Sequence, residues 1–344
     1  MANGSITIYD IAAKAECSIA TVSRVFNDSP RVSPKTRDRI YAIAKELGYQ
    51  PNESARNLAR QQSSLVSAVI PMMTSYFYLE VLQGVQDRIA SSNYDLLVYS
   101  APSLEEVDGT LNNVLSRGKS AGILLFSSPL DDHRLNMLRE SEQNVVLVDQ
   151  QHPEFDSISI DNEEGGYLAA RHLIDHGYRR IGLIMADKES LPSLTRAAGF
   201  RRAHAEMGLP IDEQLIYSAG HAPFHGYTEE TGYEAMQAML NLDERPDAVF
   251  AVSDIQALGA KRAVEEAGLN IPDDIGLIGF DDIMISRYVG LATIRQPMKE
   301  MGSLAMDRLL QRLEGDDAEV SHTVFLPELV ERMSVRNTSS GLVG

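Results

Sequence analysis

Residues 5–60 read SITIYDIAAKAECSIATVSRVFNDSPRVSPKTRDRIYAIAKELGYQPNESARNLAR. Thr7-Ile8-Tyr9-Asp10 places a carboxylate three residues after a hydroxyl, the spacing of a capping box. It predicts a first helix over Ile8–Ala15, with Ile11 and Ala15 inward. Glu16-Cys17 forms a short turn. Ser18 can cap a second helix whose apolar face is Val22, Val25 and Phe26. The opposite face carries Ile19, Ala20, Thr21, Ser23, Arg24 and Asn27, side chains of the kind that lie in a major groove. Ser33-Pro34 starts a third helix, capped by Ser33 with Pro34 at its first position. Ile40, Ile43, Ala44 and Leu47 close a small core, and Gly48 stops the helix. Two helices joined by a short turn and braced by a third are a helix-turn-helix. A three-helix bundle without a ligand, or a protein-docking module, fits the same pattern.

Downstream, Pro51 breaks the chain and Asn52 can cap a short helix over Glu53–Arg60. A helix of that length is marginal alone in water and needs a partner. Gln61-Gln62-Ser63-Ser64 is a polar linker.

Charge is divided unevenly. The whole chain of 344 residues carries −18. Its first 63 residues hold nine Lys/Arg against six Asp/Glu, a net +3, which leaves −21 on the other 281. A basic head on an acidic body suits a chain whose head alone meets phosphates. The length implies more than one domain. There is no run of 18 apolar residues and no secretory start, and a single cysteine, Cys17, forbids internal disulfides. These features predict a cytoplasmic protein with no membrane contact.

From residue 65 apolar runs alternate with amphipathic stretches. Strands are expected at Leu65–Pro71, Asp95–Ser100, Ala121–Phe126, Val145–Asp149, Ile181–Ala186, Ala248–Val252 and Ile275–Phe280. Helices are expected near 78–91, 104–116, 132–141, 163–176, 194–207, 228–240, 255–267 and 298–313. Such alternation predicts parallel sheets covered on both faces. About 270 residues exceed one comfortable sheet, so two lobes are expected, with a ligand cleft outside the strand ends. Asp149 ends a strand, Arg196 opens a helix and Asp281 follows Gly279-Phe280. Two carboxylates and a guanidinium around one cleft suit a sugar or similar polyol.

The pieces T-I-Y-D-I-A, S-x-x-T-V-S-R-V-x-N, V-S-x-K-T-R and L-G-Y-x-P-N-x-x-A-R-x-L, in this order and spacing, resemble the headpiece of the lactose-repressor/galactose-repressor (LacI/GalR) family. The resemblance implies that Ile19 and Ala20 vary with operator sequence and that Arg24 reads a base. It also implies that Thr7, Tyr9, Ser18, Thr21, Ser23, Asn27, Thr36, Tyr49, Asn52 and Ala55 belong to the DNA-binding set. Most of these hold phosphate and sugar. Leu58 would wedge between base steps from a hinge helix paired in a dimer. Glu16 stands where the family often has Gly or Asn. If that turn needs a positive φ, Glu costs stability there.

The likeness continues through I-D-N-x-x-G (160–165), H-L-I-x-x-G-Y-R-R-I (172–181), R-A-A-G-F (196–200), D-A-V-F-A-V-S-D (247–254), A-L-G-A (257–260), G-F-D-D (279–282) and T-I-R-Q-P (293–297). This region resembles a two-lobed type I periplasmic-binding-protein fold. By that resemblance Asp149, Arg196 and Asp281 match sugar-contacting positions. Met72, Ser127, Ser253, Asp254 and Met298 match the other effector positions. Ser253 replaces the Asn that many sugar-binding relatives carry.

The implied organisation is a headpiece (1–50), a hinge and linker (51–63), a two-lobed effector-binding and dimerisation core (64–336) and a tail (337–344). The implied function is an effector-controlled, non-enzymatic repressor that binds double-stranded operator DNA as a homodimer. No phosphate loop, dinucleotide fingerprint or nucleophile elbow is present. The His172/His176 and His221/His225 pairs have helical metal spacing but no third ligand, and no metal or cofactor is expected. A solute-binding protein explains the core but not residues 1–60. A Rossmann-type enzyme lacks its glycines.

Overall fold

The computed structural model describes residues 6–26, 29, 31–49, 63–101, 103–116, 119–188, 190–220 and 226–337. The expectations for Asn27, the linker residues Gln61 and Gln62, the hinge helix with Asn52, Ala55 and Leu58, the His221/His225 pair and residues 338–344 lie outside them. The chain divides into two compact units, Met1–Ser64 and Leu65–Gly344.

In the first unit, α1 (Ile8–Lys14), α2 (Ile19–Phe26) and α3 (Pro34–Leu47) close over Ile11, Ala15, Val22, Val25, Ile40 and Ala44. Local capping sets each boundary. The Asp10 carboxylate accepts from the Thr7 N–H at 2.8 Å and from its hydroxyl at 2.7 Å. The Thr21 N–H donates to Ser18 Oγ at 3.1 Å, and the Thr36 N–H to Ser33 Oγ at 3.3 Å. Gly48 ends α3 at φ 67°. Glu16, in the turn between α1 and α2, stands at φ 49°, so this turn does hold a non-glycine residue in the left-handed region.

The second unit is built on two six-stranded sheets. In lobe one, β1 (Leu65–Ile70), β2 (Asp95–Ser100), β3 (Gly122–Phe126), β4 (Asn144–Val148) and β5 (Asp156–Ile160) are all parallel. Helices α4 (Tyr76–Ile89), α5 (Leu104–Val114) and α6 (Asp132–Ser141) alternate with them. The chain then enters lobe two through α7 (Asn162–Asp175). It continues as β6 (Ile181–Met185), α8 (Leu191–Glu206), β7 (Ile216–Ser218), α9 (Glu229–Leu240), β8 (Ala248–Ala251), α10 (Asp254–Glu266), β9 (Gly276–Asp281), α11 (Met284–Tyr288) and β10 (Ala292–Arg295). It returns to lobe one with α12 (Met298–Leu313) and β11 (His322–Phe325), and ends with β12 (Glu328–Val330), antiparallel to β10 in lobe two. Three crossovers therefore join the lobes, at 160–162, 295–298 and 325–328.

The sequence expectation covered seven of these strands within two residues at each end. It missed β5, β7, β10, β11, β12 and α11. Strand β5 reads DSISI, an alternation that mimics an exposed edge, yet it is buried throughout. Its polar residues are matched instead of solvated. Asp156 accepts from Arg312 Nε at 2.7 Å and pairs with Arg308 at 3.0 Å, and Ser157 Oγ meets His322 Nδ1 at 2.7 Å. Helix α8 starts three residues early because Ser190 caps it and Pro192 sits in its first turn.

Helix pairs in this unit touch backbone to backbone. Gly166 on α7 and Gly199 on α8 face each other, so that a β-carbon on either would lie 1.9 Å from a carbonyl oxygen of the other helix, Arg196 O or Glu163 O. This contact sets α8, and with it Arg196, against the start of α7. Gly166→Ala is expected to force the helices apart and to destabilise the core by at least ~2 kcal/mol. Urea unfolding followed by circular dichroism checks this, and an unchanged midpoint contradicts it.

Candidate functional site

The strand ends of both lobes meet around a cavity of about 630 Å³. Ser127 after β3, Asp149 after β4 and Asp281 at the end of β9 all line it, with φ of 39°, 60° and 122°. Non-glycine residues in these regions cost roughly 1–3 kcal/mol each and persist only when their surroundings enforce them. Here they turn polar side chains into one space, the arrangement expected of a preorganised ligand site.

Arg196, almost fully buried, is the centre of that space. Its guanidinium carbon lies 3.6 Å from the centroid of the Phe280 ring. Its Nε donates to Asn162 Oδ1 at 2.8 Å and its Nη1 to the Val252 carbonyl at 2.6 Å. Asp281 Oδ1 stands 3.8 Å from Nη1. Nε and Nη1 are thus fixed, while Nη2 makes no hydrogen bond to a described residue.

Acceptors face it. Ser127 Oγ donates to Asp149 Oδ2 at 2.7 Å, and Gln296 Nε2 donates to Asp281 Oδ1 at 2.7 Å. Asp149 Oδ1 and Gln296 Oε1 are buried and accept no hydrogen bond among the described residues. A buried acceptor left unpaired costs about 1–3 kcal/mol, so both oxygens are poised for donors from a ligand. Burial raises the Asp149 and Asp281 carboxyl groups above the ordinary range, opposed by the Arg196 charge. Burial also raises the Tyr78 and Tyr227 phenols, the latter to about 12, so both remain neutral donors. Tyr227 OH pairs with Ser190 Oγ at 2.8 Å. Tyr76, Phe77 and Tyr78, at the start of α4, add an aromatic wall.

Met72, Ser127, Asp149, Arg196, Ser253 and Asp281 thus line one cavity. Asp254 and Met298 do not, which corrects the sequence expectation. Asp254 is fully buried and turned toward its own lobe. It accepts from Ile283 N–H (3.0 Å), Ser286 Oγ (2.6 Å) and Thr293 Oγ1 (2.6 Å), which commits both of its oxygens within that lobe. Met298, the first residue of α12, is drawn into the apolar core of lobe one beside Met301 and Ala305. Ser253 Oγ accepts from the Gln256 N–H at 3.4 Å and caps α10. Asp282 is buried against Arg295 at 2.8 Å and against Arg332. Sequence reasoning missed Gln296 and the α4 aromatics.

The first unit presents a separate surface. Ile19, Ala20 and Arg24 are exposed on α2, with Thr21 and Ser23 half-buried beside them. Thr7, Tyr9 and Ser18 are exposed, and Thr36 is half-buried at the start of α3. Ser18 and Thr21 are also committed to each other, their hydroxyl oxygens 2.9 Å apart. Tyr49 stacks on Phe26 with ring centroids 5.5 Å apart, so it carries part of the packing that holds α2.

Comparison with known proteins covers both units. Residues 7–52 match the family described as bacterial regulatory proteins, lacI family, and residues 170–335 match the periplasmic binding protein-like domain. Catabolite control protein A of Priestia megaterium is 33% identical over 333 residues, covering 95% of this chain and 98% of that protein. The chain belongs to the LacI family. The HTH-type transcriptional repressor PurR of Klebsiella pneumoniae is 34% identical, covering 96% of each chain. Among solved structures, the lac repressor dimer bound to operator and the anti-inducer ONPF superposes with a TM-score of 0.82 at 27% identity, covering 96% of this chain and 99% of that one. A CelR-cellobiose complex gives 0.72 at 28% identity, with the same coverage. The protein is therefore a DNA-binding transcriptional regulator with a helix-turn-helix headpiece and a two-lobed periplasmic-binding-protein-like core. No described helix is long and apolar enough to cross a membrane.

The raised carboxyl groups have a measurable consequence for this regulator. Their folded-state pKa values exceed the unfolded ones, so between the ordinary carboxylate range and neutrality the native state holds extra protons. Stability then falls as pH rises through the folded values and levels off above them. Asp281→Asn is expected to reduce the decline of the urea midpoint between pH 6.5 and 8.5, to which the buried Asp254 carboxyl, raised to about 8, also contributes. Parallel wild-type and variant profiles contradict the assignment.

Proposed function

We propose that this regulator is a repressor that binds a pseudo-palindromic operator as a homodimer and is controlled by a small neutral polyol, such as a sugar, held in the interlobe cleft. The observation that carries the effector assignment is the pair of buried acceptors, Asp149 Oδ1 and Gln296 Oε1, which meet no donor among the described residues and line the same cavity as Arg196, whose Nη2 has no partner among them either. A vicinal diol supplies donors to the first two and acceptors to the third, with charge assistance at the arginine. The Tyr76–Tyr78 wall offers a face for the apolar side of a pyranose ring. Relatives described as a dimer on operator DNA and as a cellobiose complex support the same organisation.

At the headpiece, the exposed guanidinium of Arg24 has the reach and two-pronged geometry for guanine O6 and N7. Ile19 and Ala20 beside it give apolar contacts to base edges. A dimer brings two such faces to successive half-sites. The net +3 of the head supplies only weak attraction, so the base contacts carry most of the discrimination.

Two outcomes are expected. A ligand found by thermal shift among cellobiose, maltose, glucose and ribose stabilises the wild type, by about 2.7 kcal/mol at 100 times its dissociation constant, and leaves Asp149→Ala unshifted. Failure of every sugar to shift the wild type sinks the sugar assignment. Arg24→Ala lowers affinity for an operator selected from a random pool by about 1–3 kcal/mol while sparing binding to random DNA, measured by fluorescence anisotropy. Equal losses on both DNAs would show that Arg24 reads no base.

A further inference from the structure

The floor of the cleft rests on the crossovers between the lobes. Asn162, whose Oδ1 accepts from Arg196 Nε at 2.8 Å, is the first residue after the 160–162 crossover. Its neighbour Asp161 donates its N–H to the Phe325 carbonyl at 2.9 Å, the last residue before the 325–328 crossover. The Asp161 side chain also caps α7, accepting from the Glu164 N–H at 2.9 Å. The third crossover, 295–298, contains Gln296. Its amide Nε2 holds Asp281 Oδ1 at 2.7 Å, its backbone N–H reaches the Asp281 carbonyl at 3.3 Å, and its Oε1, at the cavity, is buried without a partner among the described residues. The 160–162 and 295–298 connections thus each carry a residue that lines the ligand space or holds one that does, and 325–328 is tied to the first of them through Asp161.

We propose that Asn162 and Gln296 are the residues that tie effector binding to lobe movement. Asn162 is a positioning residue that acts through Arg196. Gln296 both touches the effector through Oε1 and orients Asp281. The physical logic is a shared set of hydrogen bonds. Rotation of one lobe against the other changes backbone torsions at the crossovers, because no other covalent path joins the lobes. Any such rotation moves Asn162 and Gln296, and so alters the edge of Arg196 and the carboxylate of Asp281 that a ligand meets. A ligand that satisfies Gln296 Oε1 and Arg196 Nη2 in one lobe arrangement stabilises that arrangement by its differential affinity. Gly166, packed on the Arg196 carbonyl, prevents α8 from following the ligand independently of α7. This inference rests on the effector assignment above for its ligand, but not for its hinge geometry.

The test therefore has one arm without ligand and one with it, both on the full chain. In the ligand-free arm, hydrogen exchange is followed in peptides covering 160–162, 294–298 and 325–328. Asn162→Ala is expected to raise exchange at 160–162 and 325–328 by about tenfold, well beyond any change in peptides of β1 far from the crossovers. Asn162→Asp, which keeps an acceptor for Arg196 Nε, is expected to restore the wild-type rate. Wild-type exchange in Asn162→Ala, or failure of Asn162→Asp to rescue it, overturns the hinge role whether or not a ligand is known. In the second arm, calorimetry with the tightest of the four sugars is expected to show binding weakened about tenfold or more in Gln296→Ala and in Asn162→Ala. Unaltered affinity in Gln296→Ala overturns its direct contact. If none of the sugars binds the wild type, the sugar assignment and the Oε1 contact fall together, while the exchange result still decides the hinge.

Discussion

The core of this regulator is organised around one buried guanidinium. Arg196 lies on the face of Phe280, hydrogen-bonds to Asn162 and to the end of β8, and meets two carboxyl groups whose ionisation its charge favours. Burying a single arginine beside one free carboxylate would be costly. The cost is contained here because the ring covers one face of the cation and the amide and the main-chain carbonyl satisfy Nε and Nη1, while Nη2 has no partner among the described residues. The strained strand ends at Ser127, Asp149 and Asp281 serve the same arrangement, since each turns a polar group out of its sheet toward that cation.

Much of this was legible in the chain before the fold was known, and the reason is locality. Each headpiece helix is bounded by a cap within three residues of its end: Thr7 with Asp10, Ser18 with Thr21, Ser33 with Thr36, and Gly48. Such signals need no tertiary context. The strands with continuous apolar runs were legible for the same reason, whereas DSISI was not. Its burial depends on Arg308 and Arg312, some 150 residues away.

The site divides along the same line. A strand-end aspartate is easily placed near a cleft, but the direction of its side chain is not written in its neighbours. Asp149 and Asp281 turn into the cavity, whereas Asp254, one residue into a helix, turns toward Ser286 and Thr293. Gln296 was hidden because its role comes from a crossover, and a crossover exists only once two sheets have formed. Met298 fails for a simpler reason: an apolar residue at the start of a helix goes to the nearest core, which is lobe one.

In the proposed regulation, ligand contacts at Arg196, Asp149 and Gln296 are coupled through the crossovers to operator contacts at the headpiece. Coupling of two binding events is reciprocal. The most direct measurement is the dissociation constant of the sugar that best stabilises the protein, taken with and without saturating operator DNA. Its ratio is expected to equal the ratio of operator dissociation constants with and without that sugar, and both ratios are expected to collapse toward one in Asn162→Ala. Identical sugar affinity for free and operator-bound protein would contradict it.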